Sequence, residues 1–247
     1  MKLKDVLSSI LSIPDVDICL ENAHKRSIPI YVVGGTLRDI LLGFRVKDVD
    51  LVVEASIDKF LEYIESLDKK GRLLKRFYTF KFTVDHNDIE HIDIAIARKE
   101  VYPKPGALPL VEPGTIREDL YRRDFTINAL AIPICPDGEI GEILDPLGGI
   151  KDLEDKIVRI LHDKSFIDDP TRIFRAVRFS VRLGFTIEPH TYSLMESAIK
   201  NGTLRTVGIA RIRKEIDLCK KEEKREEIFQ ALKSLGIPVE NFIELGS

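Results

Sequence analysis

Two features of the stretch YVVGGTLRDILLGFRVKDVDLVVE, residues 31–54, could do chemistry: adjacent glycines and an Asp-Val-Asp triplet inside an apolar run. If the triplet lies on a strand, alternate side chains share a face, so Asp48 and Asp50 point the same way, about 7 Å apart. Together they could bind a divalent cation. Hard oxygen ligands suit magnesium, which takes one or two carboxylates together with waters and phosphate oxygens. A charged strand edge facing solvent is the alternative.

The glycine pair, Gly34 and Gly35, follows the apolar run IYVV (30–33) and precedes a short helical pattern. Glycines between a strand and a helix let the backbone approach a phosphate, with the amide groups of the helix N-terminus facing the anion. A tight turn alone would also explain them. Glycine turn, helix and acidic strand within one short unit favour a phosphate- and metal-binding site.

A second segment, EDLYRRDFTINALAI (118–132), concentrates arginines beside polar side chains. Its candidates are Arg122, Arg123, Asp124 and Asn128. Arginine provides planar, permanently charged donors suited to phosphate, and a nearby Asn or Asp can bind ribose hydroxyls. A surface cluster of ion pairs is the alternative.

A third segment, DDPTRIFRAVRFSVRLGF (168–185), predicts a helix with an apolar stripe on one face and arginines on another. Pro170 suits its first turn, and Asp168 and Asp169 suit its positive end. Asp169 and Arg172 are three residues apart, so they could pair with each other. They could equally present an acceptor and a fork of donors to the Watson–Crick edge of a base.

The elements that must position these residues divide the chain into two halves. Up to about residue 140, strand and helix patterns are mixed, and beyond it the periodicity is helical. Strands are predicted at 30–33, 49–53, 72–77, 79–85 and 89–97, with 125–132 either strand or helix. Helices are predicted at 15–27, 36–42, 57–69, 149–155, 169–183, 189–200, 209–221 and 223–235. Four prolines and two glycines between Arg98 and Arg117 predict a long loop.

Composition limits the kind of protein. The 247 residues are 44% hydrophobic, enough for a buried core, and the net charge of −3 argues against indiscriminate coating of nucleic acid without excluding a local basic patch. Cys19, Cys135 and Cys219 are far apart in sequence, which predicts reduced thiols. No run approaches the roughly 20 apolar residues of a membrane span, and the first residues do not read as a secretory signal. We therefore expect a cytoplasmic protein without a membrane partner.

Four segments, taken in order, closely resemble the class II tRNA nucleotidyltransferase and poly(A) polymerase family, within the polymerase β superfamily. They are GGTLRDILLGFRVKDVDLVVE, EDLYRRDFTINALA, LDPLGGIKDLEDKIVR and DDPTRIFRAVRFSVRLGFTIE. The resemblance implies an α+β fold: a polymerase β-type nucleotidyltransferase head with a mixed sheet and helices at 1–140, followed by an all-helical neck at 141–247 with the base-recognition helix. The family's usual body and tail domains, which grip tRNA, are expected to be absent. The chain would then be a small stand-alone enzyme, a component that needs a partner, or a fragment; in the last two cases a protein partner or missing domain would supply that grip.

The resemblance also implies residue roles. Asp48 and Asp50 would be the catalytic metal ligands for two magnesium ions, and Asp93, flanked by isoleucines, is the best match to a third catalytic carboxylate. The implied nucleotide-binding residues lie at the triphosphate, at the ribose and on the recognition helix: Gly34, Gly35 and Arg38; Arg123, Asp124 and Asn128; Asp169, Arg172, Arg175 and Arg178.

The function implied is template-independent addition of a nucleotide to the 3′ end of tRNA, with release of pyrophosphate. The loop ARKEVYPKPGALPLVEPGTIREDL (97–120), with Tyr102 and Glu112, looks most like that of the A-adding members, which predicts use of ATP without excluding CTP. Complete CCA addition and poly(A) synthesis are the alternatives. A further alternative, from a different class of function, is an RNA-binding module without catalytic activity. The dipeptide His162-Asp163 could indicate a phosphohydrolase, but the other histidines do not have the necessary spacing.

Overall fold

The computed structural model describes residues 3–237 and residue 239, and it forms two compact units. The first, here called the sheet unit, contains the chain up to Glu100 together with Val111–Arg123 and Ile127–Gly149. The second, the helical unit, contains Val101–Leu110, Asp124–Thr126 and the chain from Ile150. The predicted head and neck, 1–140 and 141–247, stay a prediction, and the end of that neck, at 238 and 240–247, lies outside the described residues.

The helices of the first part of the chain are α1 Leu3–Leu11, α2 Pro14–Lys25, α3 Gly34–Leu41, α4 Ile57–Ser66 and α5 Ile116–Tyr121. Those that follow are α6 Gly149–Glu154, α7 Ser165–Asp168, α8 Arg172–Leu183, α9 Pro189–Lys200, α10 Ile209–Lys220 and α11 Arg225–Ser234. Short 3₁₀ turns lie at Lys75–Phe77, Thr126–Asn128 and Thr203–Thr206. No helix within the described residues is long and apolar enough to cross a membrane.

The strands are β1 Ile30–Val33, β2 Asp48–Val53, β3 Gly71–Leu74, β4 Thr79–Thr83, β5 His91–Ile96, β6 Arg98–Val101, β7 Leu110–Pro113, β8 Ala131–Ile134, β9 Ile157–Val158 and β10 Thr186–Ile187. Among the described residues, a six-stranded sheet has the order β3-β4-β5-β2-β1-β8. Within it β2 and β5 are parallel, and the other neighbours are antiparallel. The mixed sheet and helices confirm the predicted α+β class.

The central strands bury one face and leave polar side chains on the other. Val49, Leu51 and Val53 of β2 are buried, as are the alternate isoleucines of β5. Since successive side chains of a strand point to opposite faces, Asp48, Asp50 and Asp93 share the other face. Burial of the apolar face therefore sets the direction in which the three carboxylates point.

Three sequence predictions need correction. The long loop predicted between Arg98 and Arg117 is wrong over part of its length, because β6 and β7 pair there and α5 begins at Ile116. The prolines that suggested a loop lie between those strands or at the end of β7. The helix predicted at 169–183 begins only at Arg172: Asp169, which precedes Pro170, has an extended backbone with φ −133° and ψ 90°, and the chain turns between α7 and α8. The half predicted to be all-helical also contains the short parallel pair β9 and β10.

Candidate active site

The three carboxylates of the sheet unit lie on adjacent strands. The register of the parallel pair sets Asp50 directly opposite Asp93, and Asp48 lies two residues before Asp50 on the same face. Asp48 is half exposed, whereas Asp50 and Asp93 are partly buried. The sequence had placed Asp48 and Asp50 together, and the strand register brings Asp93 beside Asp50.

The electrostatics of this cluster favour a cation. Burial, and then the charge of Asp93, raises the pKa of Asp50 to about 6, while Arg123 opposes that rise. Burial also raises the pKa of Asp93, against the lowering effect of Lys81. Carboxylates that repel one another in a partly desolvated place are stabilised in their charged form by a positive ion.

The glycine turn at the start of α3 lies against these acids. A Cβ atom at Gly35 would lie 3.2 Å from Oδ2 of Asp50 and 3.6 Å from Nη2 of Arg38. At Gly34, φ is +59° and a Cβ would lie 2.6 Å from Nη1 of Arg123, so a larger residue would clash there. The amide of Gly34 donates to the carbonyl oxygen of Leu130 at 3.1 Å, and Val33, the residue before the helix, provides no side-chain cap for the amides that follow. The turn therefore fits the close approach of an anion beside Asp50.

Thr36, in the first turn of α3, ties the helix to the acidic strand and was missed by the sequence analysis. Its Oγ1 donates to the carbonyl oxygen of Asp48 at 3.2 Å and accepts from the amide of Asp50 at 2.8 Å. The threonine is buried. It holds the glycine turn and the two aspartates in one fixed arrangement. A hydroxyl residue next to the glycine pair was the only signal in the sequence.

Arg38 and Asn128 bind each other inside the sheet unit. Nη1 of Arg38 donates to Oδ1 of Asn128 at 2.6 Å, and Nε donates to Oδ1 of Asp39 at 2.8 Å. Both Arg38 and Asn128 are buried. The structure thus brings together two residues that the sequence had assigned to the triphosphate and to the ribose.

Arg123 is held in place by a buried carboxylate, Asp119. Nε and Nη2 of Arg123 both donate to Oδ2 of Asp119, and Nη1 donates to the carbonyl oxygen of Asn128 at 3.2 Å. Arg122 binds Oδ1 of the same carboxylate and also reaches Glu100. The two guanidinium groups lower the pKa of Asp119 against the effect of its burial. The role of Asp119 was not predicted, although its spacing of three and four residues from the arginines on a helical turn was visible.

In the helical unit, Asp124 pairs with Arg175. Nε of Arg175 donates to Oδ2 of Asp124 at 2.6 Å, and its guanidinium carbon lies 5.3 Å from the centre of the Phe179 ring. Asp124 thus belongs to a different unit from Arg123, the residue next to it in the chain.

Of the predicted base-reading pair, Asp169 lies between α7 and α8, and Arg172 is the first residue of α8. Oδ1 of Asp169 accepts from the amide and hydroxyl of Thr171 and forms an ion pair with Arg211 at 2.7 Å. Nη1 of Arg172 donates to Oγ of Ser165 at 3.0 Å. The contribution of Arg211 was not predicted, because it comes from α10.

The loop between β6 and β7 belongs to the helical unit and is fastened there at Gly106. Its amide donates to the carbonyl oxygen of Ile167, and its own carbonyl oxygen accepts from Nη1 of Arg211 at 2.9 Å. With φ at +67°, a Cβ at Gly106 would lie 2.2 Å from Oγ1 of Thr206. Arg211 therefore connects the loop to Asp169.

Arg178 is buried and forms ion pairs with Glu215 and Glu222, at 3.7 Å and 3.2 Å. Its guanidinium carbon also lies 5.0 Å from the centre of the Phe179 ring. These contacts join α8 to α10 and to the turn that follows it. The assignment of Arg178 to nucleotide binding stays a prediction.

The residues present fit a magnesium ion. Oδ1 of Asp93 is buried and has no hydrogen-bond partner among the described residues, as expected of an oxygen suited to a cation. Over residues 3–237 and 239, no group of three or more His, Cys, Asp or Glu is arranged to hold a metal ion by protein ligands alone. That finding is compatible with magnesium, because this ion usually takes only one or two carboxylates and completes its shell with water and phosphate.

The fold is that of a polymerase β-type nucleotidyltransferase head, and the comparisons with known proteins agree. Residues 30–159, more than half of the chain, match the family described as the poly A polymerase head domain. The chain belongs to this family.

Relatives support the same assignment. The A-adding tRNA nucleotidyltransferase of Geobacter sulfurreducens is 41% identical over 89% of this chain and 24% of its own length. That of Aquifex aeolicus is 41% identical over 87% of this chain and 26% of its own length. A solved structure, the Thermotoga maritima CCA-adding enzyme complexed with tRNA-CCA, is 35% identical and has a TM-score of 0.72, covering 89% of this chain and 50% of that one. This chain thus spans about a quarter of the two curated relatives.

Proposed function

We propose that this chain is the catalytic part of a template-independent tRNA nucleotidyltransferase that adds the terminal AMP from ATP and releases pyrophosphate. The observation that carries this chemistry is the glycine turn lying against Asp50, with Asp48 and Asp93 on the same face of the sheet. Metal-binding carboxylates there adjoin amide groups suited to a triphosphate.

Asp48 and Asp50 would hold two magnesium ions, and Asp93 would act as a third carboxylate. When bound, such ions would supply positive charge that stabilises the negative charge developing during phosphoryl transfer. This chemistry needs no protein nucleophile, so the other side chains serve to bind and orient the two substrates.

The nucleotide would be bound by the glycine turn and by arginine, aspartate and asparagine side chains. In this proposal the turn at Gly34 and Gly35, with Arg38, binds the triphosphate. Three residues that follow Asp119 in the chain, Arg123, Asp124 and Asn128, bind the ribose. Asp169 and Arg172 would recognise the base in place of a nucleic-acid template, because buried polar groups left unpaired with a wrong base are costly. The remaining assignments to the nucleotide are Arg175 and Arg178.

Addition of A alone is favoured over addition of CCA or of a poly(A) tail. The reason is that two relatives, each 41% identical to this chain, are A-adding tRNA nucleotidyltransferases. Complete CCA addition is the second candidate, because a CCA-adding enzyme has a TM-score of 0.72 against this structure. Poly(A) synthesis is a third, and the tRNA 3′ end is the partner in the first two. The cytoplasmic location, the absence of a membrane partner and the need for a further domain or partner to grip tRNA stay predictions.

The deciding experiment offers the full chain two tRNAs, one ending before the CCA tail and one ending in CC, each with ATP or CTP alone. We expect a single A on the CC-ending tRNA, accompanied by magnesium-dependent pyrophosphate release, and no efficient use of CTP. Efficient CTP incorporation on the tailless tRNA would assign complete CCA addition, and long runs of A would assign a poly(A) polymerase. No transfer by a folded chain that still binds tRNA would indicate an RNA-binding module.

A further inference from the structure

Lys81 lies among the carboxylates of the sheet unit, and the proposed function gives it no role. Its Nζ is 3.3 Å from Oδ2 of Asp93 and 3.6 Å from Oδ1 of Asp48. One ammonium group therefore lies within ion-pair distance of two of the three candidate metal ligands.

The strand register explains why this lysine points at the acids. On β4, Lys81 is paired directly with Asp93, which is in turn paired with Asp50 on β2. Its neighbours Phe80 and Phe82 are buried on the opposite face, so the alternation of the strand directs Lys81 to the acidic face. The contact is therefore built into the sheet.

The two carboxylate oxygens of Asp93 have different surroundings. Lys81 binds Oδ2, whereas Oδ1 is buried and lacks a hydrogen-bond partner in the described part of the chain. The lysine therefore compensates the charge of the cluster but leaves one inward oxygen unsatisfied. A small divalent cation could satisfy that oxygen, since its charge is concentrated and it is bound by oxygen ligands alone.

We infer that Lys81 is a built-in counter-ion: it neutralises Asp48 and Asp93 before a metal ion binds, and a divalent ion must displace it. The inference rests on the proposed function only in placing the metal among Asp48, Asp50 and Asp93. The ammonium is a compact charge on a flexible four-carbon stem, and its side chain is 39% exposed, so it can swing into solvent. The lysine thus stabilises the acidic sheet without metal and weakens metal binding.

The test measures Mn²⁺ binding to the full chain without nucleotide or RNA, from the electron paramagnetic resonance signal of free Mn²⁺. We expect Lys81→Met to bind Mn²⁺ about tenfold more tightly than the wild type, because the ion no longer competes with an ammonium group. Lys81→Arg keeps the charge and should not bind more tightly than the wild type. Lys47→Met is the matched control: Lys47 pairs with Glu90 at 3.1 Å, and both side chains are more than half exposed. It should leave Mn²⁺ affinity unchanged.

Thermal unfolding gives a readout that does not depend on activity. In EDTA, Lys81→Met should melt at a lower temperature than the wild type, and its rise in Tm on adding Mn²⁺ should be larger. Asp48→Asn should weaken Mn²⁺ binding in both backgrounds, which locates the measured ion.

Unchanged or weaker Mn²⁺ binding in Lys81→Met would overturn the inference. So would a higher KM for ATP with unaltered Mn²⁺ affinity, which would assign Lys81 to a phosphate contact. These outcomes are separable from the proposed function: a variant that binds Mn²⁺ more tightly, in a chain that adds no nucleotide to any tRNA, refutes that function and leaves the counter-ion role intact.

Discussion

Asp50 lies partly buried beside two other carboxylates, and burial together with Asp93 raises its pKa from 3.8 to about 6. The folded state therefore binds this proton more tightly than the unfolded chain does. Below the pKa that Asp50 has in the unfolded chain, this residue is protonated in both states and does not change the free energy of unfolding. As the pH rises from there through the folded-state pKa of about 6, ionisation of the buried carboxyl group lowers the free energy of unfolding.

The resulting prediction is that, in EDTA, Asp50→Asn is more stable than the wild type at about pH 8, and that the difference shrinks as the pH falls from about 6 towards about 4. Urea unfolding at a series of pH values measures it. Asp39→Asn, on the neighbouring helix, controls for the loss of a carboxylate as such. A stability difference that grows on acidification would contradict the assigned shift.

Removal of either proposed metal ligand, Asp48 or Asp50, should abolish transfer without unfolding the chain. Asp48→Ala and Asp50→Ala should each lower the rate of AMP incorporation by at least about 100-fold, because a lost ligand releases or misplaces the metal. Circular dichroism and Tm check that the fold is kept. Near wild-type incorporation by both variants would exclude these residues as the metal ligands.

Base selection should depend on Asp169 and Arg172 separately from phosphate binding. Asp169→Asn and Arg172→Lys should relax or shift the choice between ATP and CTP more than they weaken binding, whereas Arg175→Ala should weaken both nucleotides alike. The measurement is kcat/KM for each nucleotide, since its ratio reports discrimination. Equal losses for both nucleotides in all three variants would leave the first two residues a structural role only.

At the scale of elements, Thr36 connects the helix that follows the glycine turn to the acidic strand. Thr36→Val keeps the shape but leaves the Asp50 amide without its acceptor, at a cost of about 1–3 kcal/mol in the free energy of unfolding. We also expect a lower kcat, because the aspartates would shift relative to the turn. Thr36→Ser should retain most of both properties. A fully active and stable Thr36→Val would refute this coupling.

The segment between β6 and β7 shows how an element can belong to another unit. The range from Arg98 to Arg117 was predicted as a loop because of its prolines, but it contains the paired strands β6 and β7. The segment between these strands is bound at Gly106 by Ile167 and Arg211. Since Arg211 also binds Asp169, the structure joins this segment to a proposed base-reading residue.

At the scale of the whole molecule, the net charge of −3 means that the proposed binding of tRNA would depend on local groups of arginine and lysine. Affinity for tRNA should then fall linearly on a plot of log affinity against log salt, by about tenfold or more between about 50 and 200 mM, if about three phosphates are contacted. Filter binding with KCl measures this slope. Affinity that is unaffected by salt would contradict binding through phosphates.

The sequence by itself determined the elements whose signals are local. The glycine turn, the alternating strand with Asp48 and Asp50, and α9, which coincides with its predicted range of 189–200, depend on residues close in the chain. The α+β class and the family resemblance were visible for the same reason.

Only the tertiary structure decided which distant residues meet. Asp93 lies opposite Asp50 because β5 pairs in parallel with β2. Lys81 reaches both Asp48 and Asp93 because β4 is the next strand of the sheet. Arg211 similarly reaches Asp169 from another helix. Alternation sets the face on which a side chain lies, but strand order and register are set by packing of the whole sheet, so no local pattern could reveal these contacts.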